Sequence, residues 1–223
     1  VQIPGTNWTG TYDTMSGAYF TSFAIKTDGT LWSWGYNGNG ALGQNDRTTR
    51  SSPVQVPGTT WAVTASTIGA TYAIKTDGTL WSWGNNTEGK LGLNNTTNYS
   101  SPVQVGSDTT WPKTGEIHAG TTTGLIKTDG TLWMWGNGAR GGNGQNVPQN
   151  TDYSSPVQVP GTTWSKAHVT HGYSVLAAKT DGTLWTWGYN DSGELGQNSR
   201  IDYSSPVQIP GTTWSTNPIT LGA

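Results

Sequence analysis

The sequence predicts an all-β repeat protein made of small antiparallel sheets, and three observations carry that prediction. The ten residues Lys26-Thr27-Asp28-Gly29-Thr30-Leu31-Trp32-Ser33-Trp34-Gly35 return nearly unchanged at 75–84, 127–136 and 179–188. Their lysines are spaced by 49, 52 and 52 residues, a period typical of solenoids, propellers or arrays. Each copy also places an Asp-Gly dipeptide between two β-rich runs, a strong hairpin signal because glycine accepts the positive φ of a tight turn. Finally, no 3.6-residue apolar period runs through the chain, and 32 glycines in 223 residues are too dense for long helices.

The elements follow in chain order. A second motif opens the sequence as Val1-Gln2-Ile3-Pro4-Gly5-Thr6-Asn7-Trp8 and recurs at 54–61, 103–111, 157–164 and 207–214, five copies against four of the first. Eight or nine residues past each of its tryptophans stands a glycine: Gly17, Gly69, Gly120, Gly172 and Gly222. One unit then holds four short strands. The first is Phe23-Ala24-Ile25-Lys26, the second covers 30–34, and the third is Pro53-Val54-Gln55-Val56. The fourth starts at Trp61 and runs through Ala62-Val63-Thr64 toward Gly69. A Gly/Asn-rich loop separates the second strand from the third, and Pro57-Gly58 turns the chain after it. Units drawn in this phase span 17–68, 69–119, 120–171 and 172–221, and 1–16 is the second half of a preceding repeat within one domain, 1–223.

Alternation along the second strand explains why its tryptophans come in pairs. Trp32 and Trp34 share one face of the sheet, while Leu31 and Ser33 share the other. Where small sheets stack radially, a bulky face on one needs a smaller face on its neighbour. The pairs Trp81/Trp83, Trp133/Trp135 and Trp185/Trp187 repeat the pattern, set against Ser82, Met134 and Thr186. Met134 breaks the small-residue rule, so the third unit is expected to pack differently.

Composition removes several function classes. Apolar side chains are 32% of the chain, so its core leans on thirteen Trp and nine Tyr. Charged residues are 11% with a net charge of −2, which leaves no basic field for phosphate backbones and predicts no nucleic-acid partner. Cysteine is absent, which excludes disulfides, thiolate metal sites and Cys nucleophiles. No apolar run nears the roughly 18–20 residues of a membrane-spanning helix, so no membrane insertion is expected. The sequence has no initiating Met and starts inside a repeat motif, which suggests a piece of something longer.

A glycine, a strand ending in Ala-Ile-Lys, the Asp-Gly turn, then Leu-Trp-x-Trp-Gly-x-Asn-x-x-Gly-x-Leu-Gly and a later Pro-Val-x-Val: this pattern resembles the regulator of chromosome condensation repeat family. Its loop positions here are Asn37, Gly40, Leu42 and Gly43, then Asn86, Gly89, Leu91 and Gly92, then Asn190, Gly193, Leu195 and Gly196. The resemblance covers essentially the whole chain. It implies a β-propeller of four-stranded antiparallel blades, four repeats plus a half repeat being visible here, used as a rigid binding platform. Family rings usually have about seven blades, so the chain is expected to be part of a larger ring. A closed ring of four or five blades and assembly with further blades or copies are the alternatives. The third repeat departs from the motif, with Gly138 in place of its Asn and Asn143 in place of its Leu. Members often carry a His shortly after the opening glycine, and none of the five glycines here is followed by one. Relatives that act as exchange factors for the small GTPase Ran, a plant ultraviolet-B photoreceptor and a bacterial β-lactamase inhibitor share the fold and no single function. None of those activities carries over residue by residue.

Candidate chemistry is thin. The Trp pairs could stack on sugars, but their recurrence in every unit assigns them to core between blades. Asp28, Asp77, Asp129 and Asp181 each sit in the same Asp-Gly turn, where the carboxylate bonds local backbone, so they are turn formers. Glu88 and Glu194 are solvated charges. His118, His168 and His171 are too few for a metal site without Cys, and a spacing of three sends the last two to opposite faces of a strand. The Asn/Gly loops lack the acidic run of a calcium site, and no phosphate loop or nucleophile elbow is present. No catalytic residue, cofactor or metal is predicted, and the chain is not expected to be an enzyme.

What remains for function is the variable part of each repeat, at 44–50, 93–99, 137–153 and 197–203. Arg47, Arg50, Tyr99, Arg140, Asn143, Tyr153, Arg200 and Tyr203 lie there, and Arg and Tyr are enriched at binding hot spots. These eight form the expected binding rim. The expected function is a noncatalytic module, displayed outside a cell or on a virus particle, that engages a protein or glycan through its loops. One alternative is a structural subunit of a fibre, tail or envelope. A second is an intracellular, cytoplasmic regulator of a GTPase or other enzyme.

Overall fold

A computed structural model of the chain describes all residues except 1, 2, 4, 12, 13, 19, 115, 116, 171, 172 and 215–223. Among the described residues, sixteen strands form four separate four-stranded sheets, each an antiparallel meander. The first contains β1 (Met15–Ala18), β2 (Thr21–Ile25), β3 (Leu31–Gly35) and β4 (Arg50–Gln55). The second contains β5 (Trp61–Ser66), β6 (Ala70–Lys75), β7 (Leu80–Gly84) and β8 (Tyr99–Gln104). The third contains β9 (His118–Ala119), β10 (Thr122–Ile126), β11 (Leu132–Gly136) and β12 (Tyr153–Gln158). The fourth contains β13 (Trp164–Val169), β14 (Ser174–Lys179), β15 (Leu184–Gly188) and β16 (Tyr203–Ile209). First strands touch the first strands of neighbouring blades, as β1 does β5 and β9 does β13, so they line the propeller axis. These are the blades of the expected propeller, with one difference in phase. The strand from Trp61, placed last in its sequence unit, opens the next blade instead.

Blades meet through unlike faces, as the alternation of the Trp strands requires. Phe23, Leu31, Leu42 and Val56 of the first blade form one buried cluster with Trp61, Ala73 and Trp83 of the second. Equivalent clusters join Tyr72, Leu80 and Leu91 to Trp111 and Trp135, and Leu132, Met134 and Val159 to Trp164 and Trp187. Trp83, Trp135 and Trp187 are completely buried. Met134 is accommodated by a compensating change across the strand pair. Phe23 lies opposite Ser33, Tyr72 opposite Ser82 and Leu176 opposite Thr186, but Met134 lies opposite Gly124. Large and small have exchanged strands, and the pair keeps roughly its volume, the substitution cores tolerate best.

The Asp-Gly turns hold a relay that explains the spacing of the first motif. In the first blade the Thr30 amide and hydroxyl both donate to Asp28 Oδ1, at 2.9 and 2.6 Å, and the Trp32 indole N–H donates to Thr30 Oγ1 at 2.9 Å. Asp77, Thr79 and Trp81 repeat it, as do Asp129, Thr131 and Trp133, and Asp181, Thr183 and Trp185. These bonds from Thr30, Thr79, Thr131 and Thr183 hold the four carboxyls below the usual carboxylate range. The repeated lysine is part of the same device. Lys75 Nζ lies 4.1 Å from the Trp81 ring centroid and 4.8 Å from that of Trp61, a cation held between two aromatic faces. Lys26, Lys127 and Lys179 are sandwiched in the same way. Among the described residues only Lys127 of the four adds a carboxylate, Asp108, which an extra residue brings into its copy of the turn.

Candidate functional site

An antiparallel meander puts its β1–β2 type turns and its β3–β4 type loops at one end, and a repeated backbone bond ties them together. The Tyr36 amide donates to Phe20 O at 2.9 Å, that of Asn85 to Gly69 O at 2.7 Å, that of Asn137 to Thr121 O at 3.1 Å and that of Tyr189 to Tyr173 O at 3.4 Å. The resulting loop face is where the blades stop being alike. Within each long loop a buried asparagine clamps the chain. Asn37 Nδ2 donates to Asp46 O at 3.0 Å, and Asn37 Oδ1 accepts from the Leu42 amide at 2.9 Å. Asn86 and Asn190 do the same for Leu91 and Leu195.

Seven of the eight expected rim residues fall into three groups, and Asn143 stands apart. Arg47 and Arg200 are exposed on the loop face. Arg50 and Arg140 are engaged at home: Arg50 donates to Asp46 Oδ2 at 2.5 Å, while Arg140 meets Asp202 at 3.2 Å and Asp191 at 3.9 Å and lies over the Tyr189 ring. Arg140 therefore staples the third loop to the fourth. Tyr99, Tyr153 and Tyr203 are half-buried, with their rings packed against the interblade clusters. Asn143 does not belong to a rim. It is 2% exposed, and its amide points inward to Thr151 O at 3.2 Å and Gly136 O at 3.4 Å. Its place at the motif's Leu position restores an amide lost with Gly138, where an added Cβ would lie 1.8 Å from Thr151 O. The two departures of the third repeat thus compensate one another.

Sequence reasoning missed a group of exposed apolar residues on this face. Phe20, Tyr36 and Ile68 are 80, 53 and 47% exposed, and they edge a cavity of about 370 Å³ between the first two blades, together with Asn39 and Ala41. Phe20 also has φ +109°, a costly region for a bulky residue. The only signal in the sequence was that Phe20 stands where the second blade has Gly69. A second cavity, about 480 Å³, runs along the flank of the second and third blades past Tyr99, Trp111, Asp108 and Lys127.

His171, Gly172 and Gly222 lie outside the described residues, as do Val1, Gln2 and Pro4 of the opening motif. His118 and His168 meet instead across the third and fourth blades, near the axis, with ring centroids 5.4 Å apart. Burial, with His168 and Lys166 nearby, pushes His118 down to about 4. Among the described residues no three His, Asp or Glu cluster as metal ligands would, and no helix is long and apolar enough to cross a membrane.

Radially stacked four-stranded meanders with Trp-packed junctions and a variable loop face define a β-propeller repeat protein. The family model for the regulator of chromosome condensation (RCC1) repeat matches residues 28–73, 77–122 and 181–220, more than half of the chain, and the protein belongs to that family. The unmatched stretch includes the third repeat with its departures. A curated relative, the mitochondrial RCC1 domain-containing protein RUG3 of Arabidopsis thaliana, is 34% identical over 89 residues, 37% of this chain and 20% of the relative. Human WBSCR16 is similar in structure, with a TM-score of 0.72 and 21% identity over 88% of this chain and 51% of its own. Prp20p of Saccharomyces cerevisiae, a protein with binding properties toward Gsp1p and histones, gives a TM-score of 0.75 and 17% identity over 94% and 52%. The chain spans about half the length of these solved structures and a fifth of the curated relative.

Proposed function

We propose that this protein is a noncatalytic platform that binds a protein partner through its loop face. The observation that carries this reading is the contrast in side-chain use. Positions that repeat are consumed by turns and junctions, whereas Phe20, Tyr36 and Ile68 project from the loop face around a cleft, with Arg47 also exposed on that face. Exposed aromatic and Arg side chains beside a concavity are the usual anchors of a protein interface. The partner reading is supported by Prp20p, which has been seen bound to Kap60. A glycan receives no such support.

A regulator of a GTPase or another enzyme inside the cell is the form of this platform that the similar proteins favour. RUG3 is mitochondrial by name, and Prp20p binds Gsp1p and histones. Neither RUG3 nor Prp20p lends support to display outside a cell or on a virus particle. The test is affinity capture with the wild-type chain beside Tyr36→Ala and Arg47→Ala variants of unchanged circular dichroism. Loss of the captured protein in the variants is expected. Equal capture by all three would count against the loop face, and acceleration of nucleotide release from a captured GTPase would identify the regulatory form.

A further inference from the structure

Gln44, Gln145 and Gln197 hold the same place in the long loops of their blades and do the same thing there. Each donates its side-chain Nε2 to the outer strand of its own blade, to Gln55 O at 3.2 Å, Gln158 O at 3.1 Å and Gln208 O at 3.2 Å. The second blade has Leu93 instead, so the matching carbonyl, that of Gln104, receives no amide from its loop. A second departure falls beside the first. Where the siblings turn through Pro57-Gly58 or Pro160-Gly161, this unit reads Gly106-Ser107-Asp108, one residue longer. A Cβ at Gly58 would meet the Trp61 ring at 3.4 Å, and one at Gly161 would meet Lys179 Nζ at 3.4 Å. One at Gly106 would meet nothing within 4 Å.

Both departures line the cavity of about 480 Å³ between the second and third blades, a volume within the roughly 300–1,000 Å³ of small-molecule pockets. Leu93, Val103, Trp133 and Pro156 supply apolar wall. Asp108 and Lys127 are the charged side chains that line it, and they pair with one another, so the wall carries no net charge. Asn94 and Ser155 add polar groups whose side chains have no hydrogen-bond partner among the described residues. The cavity lies at an internal junction, on the flank rather than in the cleft beside Phe20, and its reading does not depend on a protein partner at the loop face.

We propose that this cavity binds a small neutral molecule that carries a carboxamide on an apolar ring. The amide N–H takes the place of the sibling glutamine and donates to Gln104 O. The amide carbonyl accepts from Asn94 Nδ2 or Ser155 Oγ, and the ring packs on Leu93, Val103 and Pro156. A charged ligand would find Lys127 and Asp108 already committed to each other, and it would leave water for a mainly apolar wall without a counter-charge. An ester of the same shape fills the space but brings no donor to the carbonyl, and a site built around a hydrogen bond rejects the analogue that lacks it.

The test is an NMR titration of the 223-residue chain with benzamide, beside methyl benzoate, which keeps the ring and the carbonyl but has no N–H. Benzamide is expected to bind saturably, with backbone amide shifts centred on Leu93 and Gln104, and methyl benzoate at least about tenfold more weakly. Two variants return the wall to the sibling sequence. Leu93→Gln puts the protein's own amide where the ligand's would lie, and replacement of Gly106-Ser107-Asp108 by Pro-Gly restores the shorter turn. Each is expected to keep the wild-type circular dichroism spectrum, because the other blades already fold with these residues, and to lose benzamide binding. No binding by the wild-type chain, shifts centred elsewhere, equal binding of methyl benzoate, or binding retained by either folded variant would overturn the proposal.

Discussion

The two ends of each blade are closed with equal regularity, but by different atoms. At the turn end the repeated bonds are made by side chains: an Asp carboxylate, a Thr hydroxyl and a Trp indole in each of the four blades. At the loop end the buried asparagines hold each long loop together, but the bond that ties it to the short turn runs from main chain to main chain, between residue pairs as unlike as Tyr36 with Phe20 and Asn85 with Gly69. A bond made by a side chain holds the residue type in place. A bond made by the backbone leaves the side chain free to vary, and that freedom is what a binding face needs.

The largest test of this contrast is to remove one repeated side chain and one variable one. Trp135→Ala empties a fully buried site and removes the indole bond to Lys90 O, and it is expected to cost about 3–5 kcal/mol, the usual range for a large aromatic cut back in a core. Arg47→Ala, on the exposed loop face, is expected to stay within about 0.5 kcal/mol. Denaturant unfolding of the two variants beside wild type measures both. Comparable losses would mean that the loop face is structural.

The third blade offers a finer test, because it varies at repeated positions and still packs. Met134→Ser makes the strand look like its siblings but leaves Gly124 opposite, so it is expected to cost about 2–3 kcal/mol through the cavity. Gly124→Phe alone overfills the same space. The double variant recreates the Phe23/Ser33 arrangement of the first blade, and it is expected to recover most of the loss. Additive losses in thermal unfolding would show that the exchange of sizes is not what relieves the third blade.

The same division decides what could be learned from the sequence. Repeats, hairpins and the paired tryptophans were legible because side chains enforce them at fixed spacing. The blade boundary was not, since a periodic sequence has no intrinsic start; only the pairing of β5 with β6 shows that the strand from Trp61 begins a blade. Lys75 was visible in the motif, but its place between two indoles depends on Trp61 and Trp81 arriving from different strands. At the loop end residue type misled. Arg140 and Asn143 looked like contact residues because they were unrepeated, and the structure spends them on a loop staple and a buried clamp. Phe20 gave no signal beyond its glycine counterpart, because its exposure follows from backbone direction.

An unrepeated pair inside the repeated frame separates two acid responses. His118 has its pKa lowered from 6.5 to about 4, so the folded chain binds fewer protons than the unfolded chain between those values, and stability falls as the pH drops through that window. At 1.36 kcal/mol per unit, reduced for partial solvent contact, the loss by pH 4 is about 2 kcal/mol. The turn carboxyls act lower. Their folded values lie below the ordinary one, so their contribution is complete above about pH 4 and is lost only as the pH falls further, with Asp108 last at about 2. Desolvation opposes the lowering at Asp108, and hydrogen bonds from Lys127 and Thr110 outweigh it. His118→Gln is therefore expected to flatten the melting temperature between pH 6.5 and 4 while leaving the steeper acid limb in place. An unchanged profile would remove His118 from the upper window.

The smallest expected effect on stability bears most on function. Phe20 holds φ +109° with its ring 80% exposed, at the position where the second blade has Gly69 at φ +78°. Backbone strain of this kind costs about 1–3 kcal/mol. Phe20→Gly would relieve it and give back about 0.5–1 kcal/mol to the added freedom of the unfolded chain. Stability is therefore expected to hold or rise by about 1 kcal/mol, and the Tyr36 amide keeps its carbonyl acceptor because that bond is main chain. Affinity for a loop-face partner is expected to fall at the same time. Gain in one with loss in the other would place Phe20 among residues kept for contact at the expense of the fold. Loss in both would make it a support of the first blade, and the boundary between the two ends of the propeller would have to be drawn elsewhere.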